Sequence, residues 1–260
     1  MSATEYSPGN QIVPRGDRAY DGTGGGGKGR NVRLLDDARL EASSVVANCA
    51  MNRERELSGS NGYGRELGLD PVRFLTDRAA AGTESAWLDL CCGSGRALRQ
   101  AAEVFTTDGV PVRIVGVDLV GYFAPGPVQE NLTLVEASIT SWEPDRRFDL
   151  ITCVHGLHYV GDKLGALARA ASWLTDDGLL VANLDLEGIR LLDADTGRQR
   201  LAKVLHGNGL VYDARRHRIT CRGRRDIVLP LDYIGADDQA GPNYTGQPAV
   251  NSYYRWNING

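Results

Sequence analysis

Between Ala86 and Asp185, short apolar runs alternate with amphipathic stretches. AWLDLCC (86–92), VRIVGVDL (112–119), LTLVEA (132–137), FDLITCV (148–154) and GLLVANLD (178–185) are near-continuous apolar segments of strand length. Such runs fit strands buried on both faces of a sheet. Between them, GRALRQAAEVF (95–105) and DKLGALARAASWL (162–174) carry apolar residues at helical spacing, the second opening on Asp162 as a cap. Strand and helix in alternation predict a parallel, doubly wound α/β sheet. Farther on, LVYD (210–213) and RITC (218–221) flank the polar turn Ala214 to His217 and read as a hairpin, and DIVLPLDYI (226–234) adds an extended segment. The expected sheet is therefore mainly parallel, with an antiparallel hairpin at its edge.

Ahead of the first strand, Ala42, Val45, Val46 and Cys49 recur at helical spacing from Asp36 onward, predicting an amphipathic helix that ends near Leu57 to Gly59. A loop with Asn61, Gly62, Tyr63 and Gly64 leads to Asp70-Pro71, a cap and first turn opening a helix that stops at Gly82. This divides the chain into a flexible Gly-rich tail (1–33), an N-terminal helical cap (34–83) and a main domain (84–260). In the tail, Gly22 to Lys28 has the spacing Gly-x4-Gly-Lys. Gly29 stands where a phosphate loop needs Ser or Thr, and no strand precedes it.

The 260 residues are 42% hydrophobic and 24% charged, with a net charge of -4, which is globular composition and speaks against a surface built to coat nucleic acid. One stretch departs from it: Thr196 to Arg225 holds nine Lys or Arg and one acid. It reads as a solvated hairpin face, with an anionic acceptor or a nucleic-acid backbone as the alternative ligand. The five cysteines, at 49, 91, 92, 153 and 221, lack the paired short spacings of a zinc site or disulfide framework and suit a reducing compartment. No secretion signal and no run of about 18 apolar residues is present, so the expected location is the cytoplasm.

In an open parallel sheet, ligands bind beyond the carboxyl ends of the strands. The first such turn is Asp89-Leu-Cys91-Cys-Gly93-Ser94-Gly95, whose glycines let backbone approach a ligand closely. The second strand ends in Asp118, 23 residues after Gly95, where a carboxylate can accept from both hydroxyls of a ribose. A dinucleotide fingerprint would need a third glycine where Leu98 stands, and Asp89 would repel a pyrophosphate while welcoming a cation.

The ordered set LDLCCGSG, GVDL, LVEASI, FDLITCVHGLHYV and DDGLLVANL resembles the successive motifs of the class I S-adenosylmethionine-dependent methyltransferases, over about residues 86–185. The resemblance implies a Rossmann-like, doubly wound, seven-stranded sheet ending in a reversed hairpin, with S-adenosyl-L-methionine as donor across the strand ends and S-adenosyl-L-homocysteine as product. It implies that Asp89 lies near the donor's amino acid part, that Cys91, Gly93, Ser94 and Gly95 form the close turn, and that Asp118 with Leu119 holds the ribose. Ser138 and Ile139 would flank the adenine, Val154 and His155 would line the floor, and Tyr63 or Arg65 of the cap would close over it. The chain departs from the family where Cys91 replaces the usual first glycine, Ser138 the usual acid after strand three, and Gly121 to Pro127 the usual helix after Asp118. His155 and His158 follow strand four, where a general base would sit, and no metal constellation accompanies them. The implied function is metal-independent methyl transfer to an O, N or C atom of a small molecule, tailoring a specialised metabolite. Cys153-Val-His-Gly156 stands where an amine-binding Asn-Pro-Pro turn would follow strand four, which disfavours nucleic acid bases as acceptors. A homodimer is compatible with this reading. The alternatives are an NAD(P)-dependent oxidoreductase and a non-catalytic S-adenosylmethionine-binding protein.

Overall fold

The computed structural model describes residues 32–47, 54–79, 82–192 and 197–257, with the two-residue strand Ala19–Tyr20. That strand pairs antiparallel with Val32–Arg33 in a first unit, Met1–Leu34. The second unit, Leu35–Gly260, carries everything that follows. Cys49 and the Gly22 to Lys28 segment lie outside the described residues.

The second unit is built on a seven-stranded sheet. Its strands are β1 (Ser85–Leu90), β2 (Val112–Asp118), β3 (Leu132–Glu136), β4 (Phe148–Cys153), β5 (Leu174–Asn183), β7 (Leu210–Asp213) and β8 (Arg218–Arg222), in the order β3-β2-β1-β4-β5-β8-β7. The first five are parallel, and the β7–β8 hairpin joins β5 antiparallel, as the alternation of apolar runs predicts. The central strand β1 is buried at every position. Leu88 and Leu90 face α5 (Lys163–Ser172), and Trp87 faces the opposite layer of α2 (Tyr63–Leu67), α3 (Pro71–Ala79) and α4 (Arg96–Thr107). Alternate residues of one strand thus serve two cores, which is why the run reads as continuously apolar.

Three expectations change. Of the helix foreseen from Asp36 to about Leu57, the described residues form only α1 (Asp37–Glu41): Asp36 caps it by accepting from the Arg39 N–H at 2.9 Å, and it stops at Ala42. Ser43 and β-branched Val45 and Val46 follow, poor helix formers, and the segment turns so that Val46 buries against Leu40, Ala236 and Val250. Tyr63 and Gly64, assigned to a loop, begin α2. The segment after the hairpin forms no edge of the main sheet. Strands β6 (Ile189–Leu191), β9 (Leu231–Asp237) and β10 (Asn251–Trp256) make a separate three-stranded sheet in the order β9-β10-β6.

The basic stretch is divided between α6 (Gly197–Gly207) and the β7–β8 hairpin. No described helix is long and apolar enough to cross a membrane.

Candidate active site

At the carboxyl ends of β1, β2 and β4 lies a cavity of about 270 Å³. Its wall includes the sequence-predicted Tyr63, Cys91, Gly93, Asp118, Leu119, Ser138, Ile139, Val154, His155 and His158. Asp89, Ser94 and Gly95 do not reach it. Ser94 and Gly95 are buried inside the turn, where Gly95 serves as the left-handed N-cap of α4 and the Ser94 carbonyl accepts from the Ala124 N–H at 2.8 Å.

The turn holds three left-handed residues, Cys91 (φ 57), Gly93 (φ 61) and Gly95 (φ 70). Only Cys91 carries the steric cost of that conformation, on the order of 1–3 kcal/mol. The neighbouring chain makes room: a Cβ on Gly156 would lie 2.2 Å from the Cys91 Cβ and 2.8 Å from its Sγ. A hydrogen bond with Cys153, together with burial, pushes the Cys91 thiol well above its usual range, so it packs as a neutral group.

Asp89 is fully buried on the α2 side of the sheet. The Tyr63 hydroxyl donates to its Oδ2 at 2.6 Å and the Thr152 hydroxyl to its Oδ1, while the Trp87 indole N–H donates to Thr152 at 2.8 Å. Burial pushes Asp89 up to about 7, against those two hydrogen bonds. It therefore anchors Tyr63 beneath the cavity and meets no cavity ligand itself. At the tip of β2, Asp118 accepts from the Gly93 N–H at 2.9 Å and the Val120 N–H at 3.2 Å, which fixes its carboxylate in the wall.

Helix α1 supplies two acids that sequence reasoning missed. Asp37 and Glu41, one turn apart, both line the cavity. Tyr233 donates to Asp37 at 3.1 Å, and burial raises the Asp37 pKa. Ser138 and Thr140 donate to Glu41, so a cap residue brings a carboxylate to the place after β3 where the chain itself has only Ser138. Against Asp37, Glu41 and Asp118, the only Lys or Arg among the described lining residues is Arg55, bonded to Asn61 at 2.9 Å and Glu66 at 3.2 Å.

Two histidines follow β4 in different surroundings. His155 has a left-handed backbone (φ 58), and its N–H reaches the Asn183 side chain at 3.3 Å. Its Nε2 lies 3.0 Å from Glu66 Oε2, and its Nδ1 faces His158 Nε2 and the Tyr244 hydroxyl, each at 3.4 Å. His158 is 2% exposed, and burial pushes it down to about 3, so it stays neutral. Tyr244 stacks on His217 at 3.9 Å, and its neighbours Asn243, Thr245 and Gln247 complete the wall. Glu66 has a faint sequence signal, three residues beyond Tyr63 and so on the same helix face. Tyr244 belongs to the aromatic, polar stretch Gly241-Pro-Asn-Tyr244, residues of a kind that can wall a pocket, although packing against the body is their default role.

Lys163, at the start of α5, is buried, and its ammonium donates to the Val160 carbonyl at 2.9 Å, the Val250 carbonyl at 2.8 Å and the Ser252 hydroxyl at 2.9 Å. Burial pushes its pKa down to about 7, with Asp185 and Asp162 opposing. It clamps β10 to the body and so holds the 243–247 wall. Among the described residues, no cluster of three or more His, Cys, Asp or Glu side chains is placed to hold a metal ion.

A family model described as a methyltransferase domain matches residues 63–202, more than half of the chain. The chain belongs to this methyltransferase family. Its sheet is that of the Rossmann-like class I enzymes.

Solved structures similar to it include the plantazolicin methyltransferase BpumL, complexed with a substrate analogue and S-adenosylhomocysteine (13% identity, 43% of this chain and 44% of that one, TM-score 0.36). Others are the amino pentose methyltransferase CalS10 from Micromonospora echinaspora, bound to S-adenosylmethionine (22%, 44% and 49%, TM-score 0.33), and the sugar N-methyltransferase KedS8 from Streptoalloteichus sp ATCC 53650 (20%, 43% and 46%, TM-score 0.31). The chain spans less than half the length of each of these three proteins. No curated protein matches it.

Proposed function

We propose that this chain transfers the methyl group of S-adenosylmethionine to a small-molecule acceptor, releasing S-adenosylhomocysteine, and that it tailors a specialised metabolite. One observation carries the donor's identity. The cavity at the strand ends is walled by the carboxylates of Asp37, Glu41 and Asp118, and its one arginine is engaged by Glu66. Such a wall suits a cationic sulfonium nucleoside and would repel the pyrophosphate of a nicotinamide dinucleotide. Beside the acids, Leu40, Val46, Ile139 and Val154 give the apolar surface that a purine needs.

In this reading, Asp118 holds the ribose hydroxyls, Gly93 and Cys91 lie against the amino acid part, and Leu119, Ser138 and Ile139 border the adenine. Glu41 stands with Ser138 as a further acceptor on that side. Bound there, the sulfonium supplies an electrophilic carbon with its own leaving group. The protein's part is to orient the acceptor and exclude water, for which near-attack positioning contributes on the order of 7–11 kcal/mol in favourable cases. The basic side chains of residues 196–225 contribute nothing to the described wall, which favours a neutral or cationic acceptor over an anionic one.

The test is calorimetric titration with S-adenosylhomocysteine. Asp118→Ala removes a charged acceptor worth about 1.5–3 kcal/mol, which weakens binding roughly 10- to 150-fold. Wild-type affinity in the variant, or NADH binding in place of S-adenosylhomocysteine, overturns the assignment.

A further inference from the structure

We propose that Glu66 positions His155 to take a proton from the acceptor, and that the acceptor's attacking atom is therefore the oxygen of an acidic hydroxyl, a phenol or an enol, rather than an amine nitrogen. The proposal rests on the methyltransferase reading above and adds the acceptor class to it.

The geometry runs from the cap to the cavity. An ionised carboxylate only accepts hydrogen bonds, so Glu66 at 3.0 Å places the proton of neutral His155 on Nε2 and leaves the lone pair on Nδ1. Arg55 at 3.2 Å engages the other Glu66 oxygen, and Glu66 is held below the usual carboxylate range, first by the bond from His155. The neighbours of Nδ1 are His158 Nε2 and the Tyr244 hydroxyl, both at 3.4 Å, longer than the usual range of about 2.7–3.2 Å and so weak hydrogen bonds that an acceptor hydroxyl can displace.

Neither neighbour competes as base. His158 is buried and its pKa depressed, and burial raises that of Tyr244, whose ring is stacked on His217. Of the charged groups nearby, Arg55 acts through Glu66, and Lys163, bonded to Val160, Val250 and Ser252, helps to lower the His158 pKa. His155 also keeps a left-handed backbone, with its N–H directed at Asn183, the kind of strain that persists where the surroundings fix a functional side chain.

A free-base amine attacks through a lone pair it already has. A phenol attacks well only as its proton leaves, and a positioned base then contributes about 10²–10⁴-fold. The oxygen lone pair forms the new O–C bond to the methyl carbon. The C–S bond breaks with its electron pair going to sulfur, and the O–H proton passes to His155 Nδ1. The products are the methyl ether, S-adenosylhomocysteine and an imidazolium stabilised by Glu66, which later releases its proton to solvent. The apolar wall with Tyr63 and Tyr159 suits a flat phenolic or enolic ring.

The experiment uses the full chain with methyl-labelled donor and three probe acceptors: catechol, 4-methylumbelliferone and benzylamine, the amine assayed also at about pH 10, where its free base is well populated. Methylation of a phenol but not of benzylamine at either pH is expected. Glu66→Gln is expected to keep S-adenosylhomocysteine affinity and to leave KM within about twofold, while kcat at pH 7 falls roughly 10²-fold. Activity should recover toward pH 10, where a phenol ionises unaided. His155→Asn should behave alike, and Glu66→Asp should restore part of kcat. If Glu66→Gln does not fold, the Glu66→Asp and His155→Asn profiles decide.

Failure of the wild-type chain to bind S-adenosylhomocysteine overturns the methyltransferase reading itself. Donor binding with methylation of benzylamine alone, or of none of the three, overturns the acceptor class. An equal loss of kcat at every pH shows Glu66 to be structural and overturns its positioning role.

Discussion

Tyr63→Phe isolates the contact between cap and sheet, because the ring stays in place, edge-on to Trp87 at 6.1 Å, and only the hydroxyl that donates to Asp89 is lost. Asp89 titrates near 3.8 when unfolded and is pushed to about 7 by burial. Between those pH values the folded state binds a proton that the unfolded chain has released, so stability falls as pH rises through that window. The full change is about 4 kcal/mol, at 1.36 kcal/mol per pH unit. The Tyr63 bond opposes that rise. Its loss should therefore extend the fall to higher pH and cost more where Asp89 is ionised. A hydrogen bond to a charged group is worth about 1.5–3 kcal/mol and a neutral one about 1 kcal/mol. With about 2–4 °C of melting temperature per kcal/mol for a chain of this size, the variant should melt about 3–12 °C below wild type at pH 8 and about 2–4 °C below at pH 5. Thermal unfolding followed by calorimetry at both pH values checks this. Equal losses, or a greater loss at pH 5, would refute the assignment of Asp89 as a carboxylate that Tyr63 helps to keep charged.

Gly156→Ala should destabilise by about 1–3 kcal/mol and weaken S-adenosylhomocysteine binding, because the new Cβ meets Cys91 at 2.2 Å. Adding Cys91→Gly removes the opposing Cβ and a strained φ, so the double variant should recover most of the loss in chemical denaturation. Lys163→Met leaves two carbonyls and a hydroxyl buried without their donor. It should cost about 2–4 kcal/mol and speed amide exchange first in β10.

The main sheet was legible because β1, β4 and the second half of β5 are buried on both faces and so read as near-continuous apolar runs, broken only at a few polar positions such as Asp89 and Thr152. Asp162 and Asp70 announced their helices as caps, and in the structure they accept from the N–H groups of Gly165 and Val72. Local pattern failed where distant packing decided the outcome. The segment after Glu41 has helical spacing, yet Val46 is claimed by Ala236 and Val250, nearly 200 residues away in sequence. The β6–β9–β10 sheet joins three segments that a linear reading cannot pair.

The site divides in the same way. The turn from Cys91 to Gly95, together with Asp118, Ser138 and His155, could be placed by position after a strand. Asp37 and Glu41 could not, because α1 reaches the cavity through a tertiary contact with no local signature, and Glu66 joins the site only through its contact with His155. Asp89 shows the opposite failure. Its place at the turn implies a position beside the donor's amino acid part, but strand alternation turns it toward Tyr63 and away from the cavity.

The clamp at Lys163 also bears on the order in which the molecule is assembled. A chain emerging from the ribosome can complete its seven-stranded sheet once Arg222 is free. Until Val250 and Ser252 follow, Lys163 lacks two of its three acceptors and must stay hydrated. A chain whose β10 has not docked would therefore hold a finished sheet but lack the wall at 243–247, so ligand capture depends on β10.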